Sequence, residues 1–265
     1  MTLAPSNYIH AVDSGVFLSG VDKSPLLGRT PVRCAPFGRR TGSLAFLILG
    51  QSNAGNHGSR NFTAGSRVFN FNPFDGLIYK AADPLLGATG EGGSPWCLMS
   101  DSLIARRIAD EILLASIAVG GATISDWAPG GPYNHRMMYT LDRVQAHGTV
   151  FTHVLWHQGE ADALYGTTCD AYVERFMKLV ESLRARDIVV PIYVATAAYF
   201  GTPQGYESQQ EIIRTAQRKL AGSRADIRPG PDTDAILDRY DACHMDELGL
   251  RKHADAWVQV LASGT

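Results

Sequence analysis

Leu44-Ala45-Phe46-Leu47-Ile48-Leu49-Gly50-Gln51-Ser52-Asn53 is the passage from which the fold can be read. Its apolar run is unbroken, far too short to span a bilayer, and stopped by a glycine. These properties suit a strand buried on both faces of a sheet, whose chain then leaves through a polar turn. Outward from it, apolar or β-branched runs at residues 112–119, 152–156, 188–195 and 235–237 predict four further strands. Between them lie helical periods. One begins near Ser100 or Asp101 with Leu103, Ile104 and Ile108, and a short one carries Met137, Met138, Leu141 and Val144. Tyr172, Phe176, Leu179, Val180 and Leu183 fall on one helical stripe, residues 209–220 form another helix, and Leu250, Ala254, Trp257, Val258 and Leu261 repeat the stripe near the end. Strands alternating with helices need crossover connections. The expected class is therefore α/β, with a mostly parallel five-stranded sheet covered on both faces.

At 265 residues with 45% hydrophobic content, the chain can bury one large core. Residues 1–43, rich in Gly, Pro and Ser, are expected to form an extension of loops and short strands packed on a domain of residues 44–265. Residues 51–100 carry many Gly, Asn and Pro and are expected to be a long surface excursion. The 24 Lys and Arg nearly balance the 26 Asp and Glu, so no net field draws nucleic acid or an anionic membrane. A small-molecule or polysaccharide ester fits better as a partner. No signal-peptide pattern and no membrane-length apolar run is visible, which reads as cytoplasmic with export by another route left open. Cys34, Cys97, Cys169 and Cys243 are scattered without CxxC or metal-ligand spacing, so no metal is expected and the cysteines read as free thiols, with a disulfide left open should the protein be exported.

In open parallel sheets, ligands bind beyond the carboxyl ends of the strands. Four glycine-punctuated polar segments fall there: GQSNAGNHG (50–58), GGATISDWAPGG (120–131), HQGEAD (157–162) and DACH (241–244). Acyl transfer needs a hydroxyl nucleophile, a base held in one tautomer, and fixed donors for the oxyanion. Ser52 can supply the first. Asp241 and His244, three residues apart, can supply a carboxylate-oriented imidazole. The amides of Ser52 and Gly121 and the side chain of Gln158 can supply the donors, with Gln51, Asn53 and Glu160 in support. Trp127, Tyr133, Trp156 and His57 are candidate walls for a sugar ring. Taken singly, each has a plainer reading: Ser52 as a turn residue, DxxH as a surface ion pair, Gln158 as a buried amide, the aromatics as core. Their joint order along the chain favours the catalytic one.

The four segments together resemble the SGNH hydrolase superfamily, in its branch of sialate O-acetylesterase-like and acetylxylan-esterase-like carbohydrate esterases. GQSN matches the first block with its serine on Ser52, and GGATISDW the second with its oxyanion glycine on Gly121. The branch's WHQGE-x-D block appears at residues 156–162 and puts a donor on Gln158; DxxH falls on Asp241 and His244. The resemblance covers roughly residues 44–261. It implies a flavodoxin-like three-layer α/β/α sandwich, no cofactor, and removal of acetyl groups from sugar hydroxyls through an acyl-enzyme on Ser52. A carbohydrate O-acetyltransferase using the same acyl-enzyme, a hydrolase of longer acyl chains, and a non-catalytic carbohydrate-binding protein stay open as alternatives.

Overall fold

The computed structural model describes residues 28–201 and 205–263. Eight residues of the quoted passage form β1 (Ser43–Gly50), and alternate side chains of this strand point into two separate cores. Ala45, Leu47 and Leu49 face one side, Phe46 and Ile48 the other, and all are fully buried. Such a strand needs a helical layer on each face. Among the described residues the sheet has seven strands in the order β3-β2-β4-β1-β5-β6-β7, made with β1 by β2 (Val68–Asn72), β3 (Leu77–Lys80), β4 (Glu111–Ser116), β5 (His153–His157), β6 (Ile192–Thr196) and β7 (Ile227–Asp232). The β2–β3 pair is antiparallel; the other pairs of these seven strands are parallel.

The Phe46 face is covered by α1 (Trp96–Ala105), and by the last described helix, Glu247–Ser263, through Trp96, Met99, Leu103, Trp257, Val258 and Leu261. The Leu47 face is covered by three helices: Pro132–Ala146, Cys169–Arg184 and Glu207–Leu220. Met137, Leu141, Phe176, Leu179, Ile213 and Leu220 pack there. Two short helices, α2 (Ile124–Trp127) and α4 (Glu160–Leu164), sit directly after the loops that follow β4 and β5. In chain order the longer helices are thus α3, α5 and α6, and the last is α7. This is an α/β/α sandwich of the kind expected, and among the described residues no helix is long and apolar enough to cross a membrane.

Three expectations need correction. The sheet has seven strands rather than five, because residues 51–100 contain the β2–β3 hairpin as well as loops. Residues 235–237 are not a strand; the edge position is taken by β7, whose Pro229 and Pro231 are tolerated because an edge strand leaves half its N–H groups unpaired. Residues 28–42 contain no strand, yet they pack on the core. Phe37 is fully buried, its N–H donates to Thr149 Oγ1 at 3.1 Å, and its carbonyl accepts from Val150. The earlier part of the expected extension lies outside the described residues.

Candidate active site

β4, β1 and β5 are neighbours at the centre of the sheet, so the loops leaving their carboxyl ends are adjacent by construction. Gly50 lies opposite His157, and the ladder continues as Gln51 N–H donates to His157 O (3.1 Å) and Val119 N–H to Gly50 O (3.1 Å). Only glycine fits at this exit. Gly50 has φ +138°, and a Cβ there would lie 1.9 Å from the His157 carbonyl oxygen. The chain then turns into a single 3₁₀ turn, Ser52–Ala54, which presents Ser52 at its first position.

Supports beneath this turn come from the β5–α4 loop. Gln51 is buried, and its Oε1 accepts from the N–H groups of Gly159 (3.3 Å) and Ala161 (3.1 Å). Asn53 Nδ2 donates to Glu160 Oε1 at 2.9 Å and to Cys243 O at 3.2 Å. That one amide therefore clasps three segments: the turn holding Ser52, the start of α4, and the loop holding His244. Glu160 is buried, and its other carboxylate oxygen has no hydrogen-bond partner among the described residues. Burial raises its pKa to about 7, against the lowering effect of the Asn53 bond.

The His244 loop builds itself locally. Asp241 Oδ1 accepts from the N–H groups of Cys243 (3.0 Å) and His244 (2.6 Å), closing a tight turn through Ala242, whose φ of +66° is in the left-handed region. Tyr240 N–H donates to His244 O at 3.0 Å, and Arg239 donates to Cys243 O from beneath. Asp241 Oδ2 then lies 2.6 Å from His244 Nδ1. Burial disfavours the Asp241 charge, but the bonds from the His244 and Cys243 N–H groups and from the His244 ring hold its carboxyl below the ordinary value. A carboxylate acceptor fixes the His244 proton on Nδ1 and leaves Nε2 with its lone pair.

Ser52 and His244 are brought to the same rim through the Asn53 clasp, but among the described residues neither Ser52 Oγ nor His244 Nε2 makes a hydrogen bond, so the two are not bonded to each other. Such contacts are often loose without substrate. Among the described residues the Ser52 and Gly121 N–H groups likewise donate no hydrogen bond. Gly121 has φ +73°, and the place its Cβ would occupy is open space.

Several expected roles do not survive this geometry. Gln158 is fully buried, and its amide donates to Ala122 O (3.0 Å) and Asp162 Oδ2 (2.5 Å), with Gln51 Oε1 also at 3.3 Å. Its two N–H bonds are spent internally, and Tyr172 OH donates to its Oε1 at 3.0 Å. Gln158 is a framework amide, not an oxyanion donor. Trp127 and Trp156 are fully buried and pack edge to face, 6.2 Å apart, so neither can face a sugar. Tyr133 is half-buried against Trp127, with ring centres 5.5 Å apart. His57 is half-buried, and one face of its ring is stacked on His244 at 5.3 Å.

Three participants were missed. Asp162 Oδ2 accepts from the Ile124 N–H at 2.7 Å and so anchors the loop that carries Gly121. Thr89 Oγ1 accepts from the Gly120 N–H at 2.7 Å. Tyr240, an exposed aromatic, lies near parallel to the His244 ring at 6.2 Å. Asp162 stood inside a quoted segment, and Tyr240 directly before Asp241; Thr89 had no sequence feature to mark it.

Comparison with known proteins adds an independent line. A model of the family described as carbohydrate esterase, sialic acid-specific acetylesterase, matches residues 43–253. No curated protein matches this sequence. Among solved structures, a protein from Arabidopsis thaliana is similar over 83% of this chain and 98% of its own, with a TM-score of 0.67 and 20% identity. A carbohydrate acetylesterase from Xanthomonas citri is similar over 84% of this chain and 57% of its own, with a TM-score of 0.59 and 18% identity. A GDSL-like lipase from Parabacteroides merdae, described as putative, is similar over 88% of this chain and 99% of its own, with a TM-score of 0.57 and 12% identity. At these identities the structures bear on the fold alone.

Proposed function

Because the chain belongs to the sialic acid-specific acetylesterase family of carbohydrate esterases, and is thus a carboxylic ester hydrolase of SGNH type, we propose that it removes O-acetyl groups from a carbohydrate through an acyl-enzyme on Ser52. His244 Nε2 takes the Ser52 proton as Oγ attacks the ester carbonyl. Asp241 holds the ring and stabilises the imidazolium that forms. The oxyanion is met by the N–H groups of Ser52 and Gly121. The imidazolium gives its proton to the leaving sugar oxygen, and the acetyl group stays on Ser52. A water deprotonated by the same Nε2 then attacks the acetyl carbonyl, the imidazolium returns this proton to Ser52 Oγ as the bond to it breaks, and acetate leaves.

One observation carries the reading. The Asp241–His244 pair, 2.6 Å apart, is clasped by Asn53 to the turn bearing Ser52, which with Gly121 offers two N–H groups that no acceptor among the described residues uses. A rate series on acetyl, butyryl and octanoyl esters and on O-acetylated sugars tests it. The expected order places acetyl esters first, and Ser52→Ala is expected to lower kcat by about 10³-fold or more with the fold intact. Undiminished turnover in Ser52→Ala would end the proposal. Rates rising with chain length would move the substrate class to longer acyl groups, and acetyl transfer to an added sugar outpacing acetate release would make the protein a transferase.

A further inference from the structure

The proposed mechanism gives His57 no task, yet the loops holding Thr89, Gly120 and His244 all meet at this residue. Its ring is stacked on His244, with centres 5.3 Å apart and planes 23° from parallel. Its Nε2 lies 2.9 Å from Thr89 Oγ1, the same oxygen that accepts from the Gly120 N–H at 2.7 Å. Its carbonyl oxygen accepts from Tyr240 OH at 3.0 Å. A Cβ on Gly120 would lie 3.0 Å from both Cε1 and Nε2 of this ring, and one on Gly90 2.8 Å from Cδ2. Glycines on two other loops therefore make room for this imidazole.

Thr89 Oγ1 joins two groups at once: it accepts from the Gly120 N–H and shares a hydrogen bond with His57 Nε2. Burial favours the neutral form of the His57 ring. A neutral ring can lie against His244 without repelling the charge that His244 gains during turnover.

We propose that His57 and Thr89 are a positioning pair that fixes the Gly120–Gly121 turn and the His244 ring as one unit, so that oxyanion donor and base keep register with Ser52. This rests on the hydrolase reading. Neither residue makes a hydrogen bond to Ser52 Oγ or His244 Nε2. Thr89 holds the backbone just before Gly121, and His57 passes that placement to the base by stacking. A sugar-wall role for His57 fits less well, since one ring face is covered by His244 and Nε2 is engaged by Thr89.

The test is a double-mutant cycle with Thr89→Val, which keeps shape but loses the hydroxyl, and His57→Phe, which keeps the ring but loses Nε2. Each is expected to lower kcat about tenfold with KM within about twofold, and the double variant to be about tenfold rather than about a hundredfold down, since one chain has been cut twice. Thr89→Ser should restore kcat. Rates of inactivation by a fluorophosphonate, whose adduct is tetrahedral, should fall with kcat. Unfolding midpoints certify each variant, and if Thr89→Val fails to fold, His57→Phe with Thr89→Ser decides. Wild-type kcat in folded variants, a rise confined to KM, or a hundredfold loss in the double variant would overturn the pair. Failure of the probe to label Ser52 in the wild-type protein would instead overturn the underlying hydrolase reading.

Discussion

Asp241 does two things with two oxygens. Oδ1 ties off the turn through the Cys243 and His244 N–H groups, and Oδ2 faces the His244 ring. An asparagine can keep its carbonyl toward the backbone donors, so Asp241→Asn is expected to fold and to retain the turn. Its NH2 would then face Nδ1 and favour a proton on Nε2, the nitrogen that must accept from Ser52. The expected loss in kcat is up to about 10⁴-fold, measured on an acetyl ester under saturating conditions. A kcat within tenfold of wild type would mean that another group orients His244. The local contact was legible because three-residue spacing brings a carboxylate and an imidazole together without help from the rest of the chain. Gln158 was misread for the opposite reason. Its amide hydrogens are claimed by Ala122 and Asp162, and nothing in the chain around it reveals the first of these.

At the scale of elements, continuous apolar runs gave away β1, β4, β5 and β6, since a strand buried on both faces has no polar side to disguise it. The β2–β3 hairpin was hidden by Asn70 and Asn72. Asn70 is fully buried, and it behaves as a bracket, accepting from the Leu86 N–H at 2.6 Å and donating to the carbonyls of Leu86 and Leu114. β7 was hidden by Pro229, Gly230 and Pro231. The same logic reassigns Trp127 from a sugar wall to the packing of α2 against the core, where it meets Tyr133 and Trp156. Trp127→Ala is therefore expected to cost about 3–5 kcal/mol of stability, read from a urea midpoint. A raised KM with unchanged stability would restore the wall.

Over the whole molecule, buried titratable groups pull stability in opposite directions with pH. Burial lowers His57, His153 and His157 to about 4, and His253 falls well below its ordinary value. His253 Nε2 accepts from Trp257 Nε1 at 3.1 Å, which a protonated ring could not do. These groups bind fewer protons folded than unfolded. The stability they allow is full above about 6.5 and is lost as pH falls toward 4. Glu160 and Asp83, raised by burial to about 7 and about 6, act the other way: their stability is full below their ordinary values and is lost as pH rises through the raised ones. With His147 also lowered and Asp162 also raised by burial, five histidines against three carboxylates predict a urea midpoint that climbs from pH 4.5 to 6.5, and a shallower climb in His253→Gln. A falling midpoint over that interval would contradict the balance. All of this serves to hold loops from three adjacent strands and the Asp241–His244 turn at one rim, and that convergence is tested most directly by mapping a fluorophosphonate adduct on the intact protein by mass spectrometry. One adduct per chain on Ser52, slowed strongly in His244→Ala, is the result expected; an adduct on a different side chain, or full esterase activity with Ser52 unlabelled, would contradict it.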